Sequence, residues 1–311
     1  SGNYGKYDTG INYALRRLIL DQAANLRRLV VENNTARRTK TIAITSGKGG
    51  VGKTSIAVSL AIALAKRNYS ITLLDADLGL ANVNVVLGII PKYNLYHVIK
   101  GKKKLEEIII DVPEGIKIIA GASGFHQLAN LDVKQREYFI KSLAELNADD
   151  YMIIDTGAGI SQNVLSFLVA SDEVIVITTP EPTSITDAYG TIKAIAANDP
   201  DKTVKLLVNR AQTVTEAKKV AQRVINIAGQ FLNIKVDNLG FIFDDLYVAK
   251  SIRNQKPFIV SYPKSKASTC VEIIADRIGN IESDIDKGTG MLSFFRRFFG
   301  HYETDNDDGM V

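Results

Sequence analysis

The chain is short of cysteine, of long apolar runs and of any large excess of one charge, and each shortage removes a class of protein. One cysteine in 311 residues, Cys270, permits no internal disulfide, which suits a reducing cytosol. No run of about 18 apolar residues occurs, so no segment is long enough to cross a bilayer as a helix. The 38 basic and 34 acidic side chains leave a formal charge of +4, too near balance for a protein that coats nucleic acid. No internal repeat is visible. The chain opens Ser1-Gly2 with neither methionine nor a signal peptide, which reads as the scar of a cleaved tag.

What is present is apolar and patterned. Hydrophobic residues make up 46% of the chain, enough for one large core or two modest ones. From Lys40, short apolar runs alternate with helical stretches. "KTIAITS", "SITLLDAD", "GIKIIAGA", "YMIIDTG", "EVIVITTP", "TVKLLVNR" and "NLGFIF" read as strands. Helices are expected over 53–67, 133–147, 162–170, 184–197, 215–231 and 265–282. Strands that are apolar throughout, with helices between them, predict an α/β fold. It has a mostly parallel central sheet flanked by helices on both faces. Ligands then bind at the carboxyl ends of the strands.

Three segments are expected. Residues 1–39 form a basic arm, in which Leu15, Leu18, Ile19, Gln22, Leu26, Leu29 and Val30 recur at spacings of three and four and suggest one amphipathic helix. Residues 40–284 form a nucleotide-binding domain. Residues 285–311 hold a short amphipathic helix and an acidic tail.

The most specific stretch is "SGKGGVGKTS". Gly47, Lys48, Gly49, Gly50, Val51, Gly52, Lys53 and Thr54 satisfy the pattern G-x-x-x-x-G-K-[ST] between a strand and a helix. Glycines let backbone N–H groups turn inward around an anion, and the helix that follows, with Ser55 in its first turn, adds its positive end. Lys53 is expected on the β- and γ-phosphates and the Thr54 hydroxyl on Mg²⁺. Three carboxylates close neighbouring strands: Asp75 and Asp77 in "LLDADLGLAN", and Asp155 in "YMIIDTGAGIS". Asp155 has the form of a carboxylate that holds Mg²⁺. Asn209, at the end of "KLLVNR", offers a donor and an acceptor that match an adenine edge, with Arg210 beside it. No N-K-x-D guanine signature occurs, so ATP is expected rather than GTP.

The form K-G-G-V-G-K-T resembles the deviant phosphate loop of the MinD/ParA family of ATPases. That resemblance implies an ATP hydrolase in which Lys48 reaches a partner's nucleotide across a homodimer interface, although a loop lysine that is merely solvated satisfies the same pattern. It also implies that Asp77 orients the attacking water, that Asp75 assists near the metal, and that Asn82 falls on the asparagine of the family's first switch segment. "IFDDLYV" is similar to the family loop that closes over the base, with Phe243 where proline is usual. The iron–sulfur branch of the family needs several cysteines and is excluded by Cys270 standing alone.

The two ends resemble the FlhG (FleN/YlxH) branch of that family. "DQAANLRRLV" matches its D-Q-A-x-x-L-R arm, which implies that Asp21, Gln22, Ala23, Leu26 and Arg27 contact an FlhF-type GTPase. A helix packed on its own ATPase core fits this segment as well. In "MLSFFRRFFG", Met291, Leu292, Phe294, Phe295, Phe298 and Phe299 make an aromatic face flanked by Arg296 and Arg297. Such a face suits an anionic membrane surface, and it fits equally a groove on its own domain. Both are expected: docked in the monomer, released in an ATP-bound pair. The branch further implies control of flagellar number and placement at the cytoplasmic face of the inner membrane. Its partners are flagellar C-ring proteins and, in some lineages, a flagellar transcription regulator, with no direct DNA binding. The other readings are a MinD-type regulator of division, a ParA-type DNA-partition ATPase and a scaffold that does not hydrolyse ATP.

Overall fold

The computed structural model describes residues 39–77, 82–121, 149–280, 290, 293–295 and 297–298. The expected helix over 133–147, the arm at 1–38 and the acidic tail lie outside the described residues.

The strands are β1 (Lys40–Ser46), β2 (Ile71–Ala76), β3 (Ile109–Asp111), β4 (Lys117–Ile119), β5 (Tyr151–Ala158), β6 (Glu173–Thr178), β7 (Thr203–Ala211) and β8 (Val236–Phe243). They form one sheet in the order β3-β4-β2-β5-β1-β6-β7-β8. Pairing is parallel throughout except for β3 against β4 at one edge. The helices are α1 (Lys53–Ala65), α2 (Asn82–Leu87), α3 (Leu95–Ile99), α4 (Gln162–Ala170), α5 (Pro182–Asn198), α6 (Val214–Phe231), α7 (Leu246–Arg253), α8 (Phe258–Ser261) and α9 (Lys266–Asn280).

Period-two alternation along each strand divides the interior into two cores, one on each face of the sheet. Ile42, Ile44, Leu73 and Ile153 face α1, α8 and α9. Ala43, Leu74, Met152 and Ile154 face α3, α4, α5 and α6. That double coverage is why the strands read as unbroken apolar runs. α1 lies between sheet and α9 and is almost wholly buried. Arg67, just past its end, ties it to α9 through Glu272 at 2.5 Å and Asp276 at 2.7 Å.

The described residues near the end of the chain belong to the second core. Phe294, Phe295 and Phe298 are 0–2% exposed. The Phe167 ring of α4 meets Phe298 at 4.6 Å and Phe294 at 6.2 Å between centroids. Arg297 Nη2 donates to Asp172 at 2.9 Å, and the Gly290 amide donates to the Thr39 carbonyl at 3.1 Å. These contacts gather at the amino-terminal ends of β1 and β6, the edge of the sheet opposite the phosphate loop.

The same edge carries a buried ion pair. Glu173, with 4% of its side chain exposed, meets Lys205 at 2.7 Å and Lys40 at 3.3 Å. Truncating one partner of such a pair strands the other in a low-dielectric interior. Glu173→Ala is expected to lower unfolding free energy by about 3–5 kcal/mol, read from urea denaturation, with the nucleotide affinity of the folded fraction unchanged.

Candidate functional site: a phosphate loop ringed by strand-end carboxylates

The site forms where β1, flanked by β5 and β6, hands the chain over to α1, a switch point in an open α/β sheet. Gly50 and Gly52 take φ of 75° and 100°, which only glycine adopts without strain, and they curl the loop so that α1 begins at Lys53. A β-carbon on Gly52 would stand 2.6 Å from Asn209 Nδ2, and one on Gly47 would meet the Asp187 backbone of α5 at 2.2 Å. The loop is therefore seated between β7 and α5 as well as at the tip of β1. Asn209 Nδ2 donates to the Val51 carbonyl at 2.7 Å, and Arg210 Nη2 to the Gly50 carbonyl at 2.9 Å. Asn209, expected to read the base, and Arg210 beside it thus both brace the phosphate loop. Gly49 and Gly50 lie exposed at its tip, Val51 and Ser55 are buried and Thr54 is half-buried.

The two loop lysines part company. Lys53 is 8% exposed, and burial lowers its pKa, with Asp155 and Asp77 opposing that shift. Lys48 stays at the surface. Its ammonium donates to Glu181 Oε2 at 2.6 Å and Thr183 Oγ1 at 3.0 Å, at the amino end of α5, with 39% of its side chain exposed.

Asp75 and Asp155 are direct partners across β2 and β5 and are both fully buried. Burial pushes each carboxyl up to about 7. Asp75 accepts from the Asp77 amide at 3.2 Å and the Val83 amide at 3.4 Å, which hold the turn after β2. Asp77 accepts from Asn82 Nδ2 at 3.0 Å and lies beside Gly157, where a β-carbon would approach its Oδ1 to 3.5 Å.

Neither oxygen of Asp155 has a hydrogen bond of ordinary geometry, although the Thr54 hydroxyl is near enough to favour its charged form. A buried carboxylate left in that state calls for a cation. Thr54 and Asp155 are therefore the residues that fit Mg²⁺. Among the described residues no cluster of three His, Cys, Asp or Glu forms a metal site by itself. When bound there, Mg²⁺ would neutralise charge on the β- and γ-phosphate oxygens.

Beside the loop opens a cavity of about 470 Å³, the size of a ligand pocket. Gly52, Ile56, Asn209 and Arg210 line it with Thr179, Pro180 and Glu181 after β6, with Phe243 at the end of β8 and with Asp244 and Val248 beyond it. The last six form a base-side wall: Phe243, Asp244 and Val248 belong to the stretch expected to close over the base, whereas the sequence reading left Thr179, Pro180 and Glu181 unassigned. Pro180-Glu181-Pro182 following an apolar strand was the available signal: proline suits the first turn of a helix, here α5. The arm residues Asp21, Gln22, Ala23, Leu26 and Arg27 lie outside the described residues, as do Met291, Leu292, Arg296 and Phe299.

A seated phosphate loop, an inward lysine, strand-end carboxylates and an adjoining cavity define a P-loop nucleotide hydrolase. Residues 39–205 match the family model described as AAA domain. The chain is 37% identical over 238 residues to the antiactivator FleN of Pseudomonas aeruginosa, covering 76% of this chain and 85% of that one. It is 34% identical over 286 residues to the flagellum site-determining protein YlxH of Helicobacter pylori, covering 89% and 96%. Its fold is similar to that of the septum site-determining protein MinD of Pyrococcus horikoshii complexed with Mg-ADP, with a TM-score of 0.64 and 26% identity over 79% of this chain and 100% of that one. The chain belongs to the FleN/YlxH family of MinD-like ATPases and is an ATPase.

The raised carboxyls fix how stability depends on pH. Between about pH 4 and 7 Asp75 and Asp155 retain protons in the native chain that they have released in the unfolded one, so these two groups contribute a loss of stability as pH rises through that window. Asp155→Asn is expected to flatten this loss and to raise the nucleotide-free melting temperature at pH 8 by about 2–4 °C per kcal/mol relieved. It should also remove the stabilisation that Mg·ATP gives the parent, and calorimetry with and without Mg·ATP reads both effects.

Proposed function

We propose that ATP binding pairs two copies of this chain, frees the aromatic segment near residue 295 and thereby places the pair on an anionic membrane, where it controls flagellar number and placement. The observation that carries this reading is the separation of the two loop lysines. Lys53 already occupies the phosphate cradle, whereas Lys48 stands on the exposed lip, held by Glu181 and Thr183. A lysine so placed serves its own triphosphate poorly and a facing copy's well. Phosphoryl transfer builds charge on the bridging oxygens, and a cation supplied in trans offsets it by roughly 10³–10⁵ in rate. Hydrolysis is then slow in the monomer and tied to pairing.

Within each half, Lys53 and the loop amides bind and orient the phosphates, Asp77 holds the attacking water in line, and Asn209 presents its amide to the adenine edge. The names antiactivator FleN and flagellum site-determining protein YlxH support the flagellar assignment. Phe294, Phe295 and Phe298 pack in the core with Arg297 beside them, and their release on pairing would give reversible attachment at the cytoplasmic face of the inner membrane. One copy binds lipid weakly, and two on a dimer gain avidity of roughly 10²–10⁴. The segment around Asp21–Arg27 engages an FlhF-type GTPase, and C-ring proteins and a flagellar transcription regulator complete the partner set.

Sedimentation with anionic liposomes and Mg·ATP tests the switch on three proteins: the intact chain, a chain ending at Gly290, and Lys48→Ala. Only the intact chain is expected to pellet with lipid; binding by Lys48→Ala equal to the parent would sink the pairing step. For the arm, a peptide of residues 21–30 is expected to speed GTP hydrolysis by an FlhF-type GTPase. A peptide with Gln22→Ala and Arg27→Ala should not, and an inert parent peptide would return the chain to the MinD-type reading.

A further inference from the structure

Residues 91–105, "PKYNLYHVIKGKKKL", contain five lysines and no carboxylate in a chain whose charge is otherwise nearly balanced. The structure folds them into one patch. His97 stands edge-on to Tyr93 at 5.2 Å and to Tyr96 at 5.9 Å. Lys103 and Lys92 lie over the Tyr93 ring at 4.5 and 5.4 Å, and Lys100 over Tyr96 at 5.8 Å. The Lys102 and Lys103 amides both donate to the His97 carbonyl, at 2.8 and 3.2 Å, which turns the lysine run back onto α3. Glu107 takes Lys103 at 2.7 Å. Lys92, Lys100, Lys102 and Lys104 are exposed and form no ion pair among the described residues. Leu95, Val98, Leu105 and Ile108 anchor the patch in the same core that holds Phe294, Phe295 and Phe298, so patch and aromatic segment lie on one helical layer of the sheet.

We infer that this lysine–tyrosine patch is a second membrane contact, which reads anionic lipid headgroups independently of the aromatic segment. The inference rests on the membrane reading above and deepens it. Four exposed ammonium groups that form no ion pair among the described residues match a surface of anionic headgroups in charge, and tyrosines with an apolar body and a polar tip settle at the headgroup level. A shared layer lets one bilayer meet both elements. The aromatic segment then supplies depth, and the patch supplies preference for negative lipid. Each lysine near such a surface contributes about fivefold in affinity, and the contribution fades as salt shortens the Debye length.

The test uses the full chain with Mg·ATP and two kinds of vesicle, phosphatidylcholine alone and phosphatidylcholine with about 30% phosphatidylglycerol. The parent is compared with a variant carrying Lys92→Gln, Lys100→Gln, Lys102→Gln and Lys104→Gln, whose lipid-free ATPase rate should equal the parent's. The parent is expected to favour the anionic vesicles, and the variant to lose up to about 600-fold of that binding at low salt, less as salt rises, while keeping the parent's weak affinity for neutral vesicles. Equal binding of parent and variant to anionic vesicles would overturn the patch and leave the aromatic switch standing. A parent that ignores both vesicles would overturn the membrane reading and the patch with it. A variant that loses binding to duplex DNA but not to vesicles would assign the surface to nucleic acid and overturn the inference.

Discussion

A carboxylate without a hydrogen bond of ordinary geometry, Asp155, fully buried at the carboxyl edge of a parallel sheet, sets the terms for the rest of this molecule. An isolated charge there is costly, and the group responds by holding its proton up to about 7. Everything around it is arranged for the moment when positive charge arrives. Lys53 is held close in the cradle with its own pKa lowered, Thr54 offers a hydroxyl, and Asp75 stands directly across the ladder with the same burden. The ligand-free protein thus carries an unfavourable local arrangement that a nucleotide and its ion relieve. Binding is favoured partly by the relief.

The two cores keep that arrangement in place. Asp75 and Asp155 can both reach the carboxyl edge because β2 and β5 pair in register along six residues, from Ile71 with Tyr151 to Ala76 with Thr156. The loop is held from three sides: by β1, by the Asn209 and Arg210 side chains from β7, and by the backbone of α5 against Gly47. A loop so braced cannot shift without moving α5, and α5 begins at the residues that hold Lys48. The phosphate cradle and the outward lysine are therefore mechanically one unit.

Most of the sheet was legible in the sequence because strands covered on both faces are apolar through most of their length. The runs beginning at Lys40, Tyr151, Glu173 and Thr203 are all strands in the fold. The phosphate loop, Asp155 and Asn209 were legible because their chemistry demands particular residue types at strand ends. The antiparallel edge was not. β3 is three residues long, and the isoleucines that form it continue directly from a short 3₁₀ turn, so no period separates them. α7 was missed for the opposite reason. It is short and mostly exposed, and the chain starts it with an Asp245 side chain accepting from the Tyr247 amide rather than with an apolar stripe. Half of the base-side wall, Phe243 to Val248, was legible as a loop expected to close over the base; the other half, Thr179 to Glu181, was missed because it carries no motif and meets the first only through the fold. Docking of the aromatic segment in the monomer was expected, but the place where it docks could not be read. Its composition suits lipid and protein interior equally, and only the presence of Phe167 at the right place decides between them.

That ambiguity has a consequence for how the protein would evolve. The three phenylalanines give roughly the same transfer free energy to the core as to a bilayer, about 1.5–3 kcal/mol for each ring fully buried. On the reading proposed above, they partition between two apolar phases of nearly equal merit. Substitutions in the receptor site around α4 would then leave catalysis and the segment itself intact, and still shift how many molecules leave solution. Drift in a seemingly structural pocket becomes a tuning knob for cellular address, set by residues that touch neither lipid nor nucleotide.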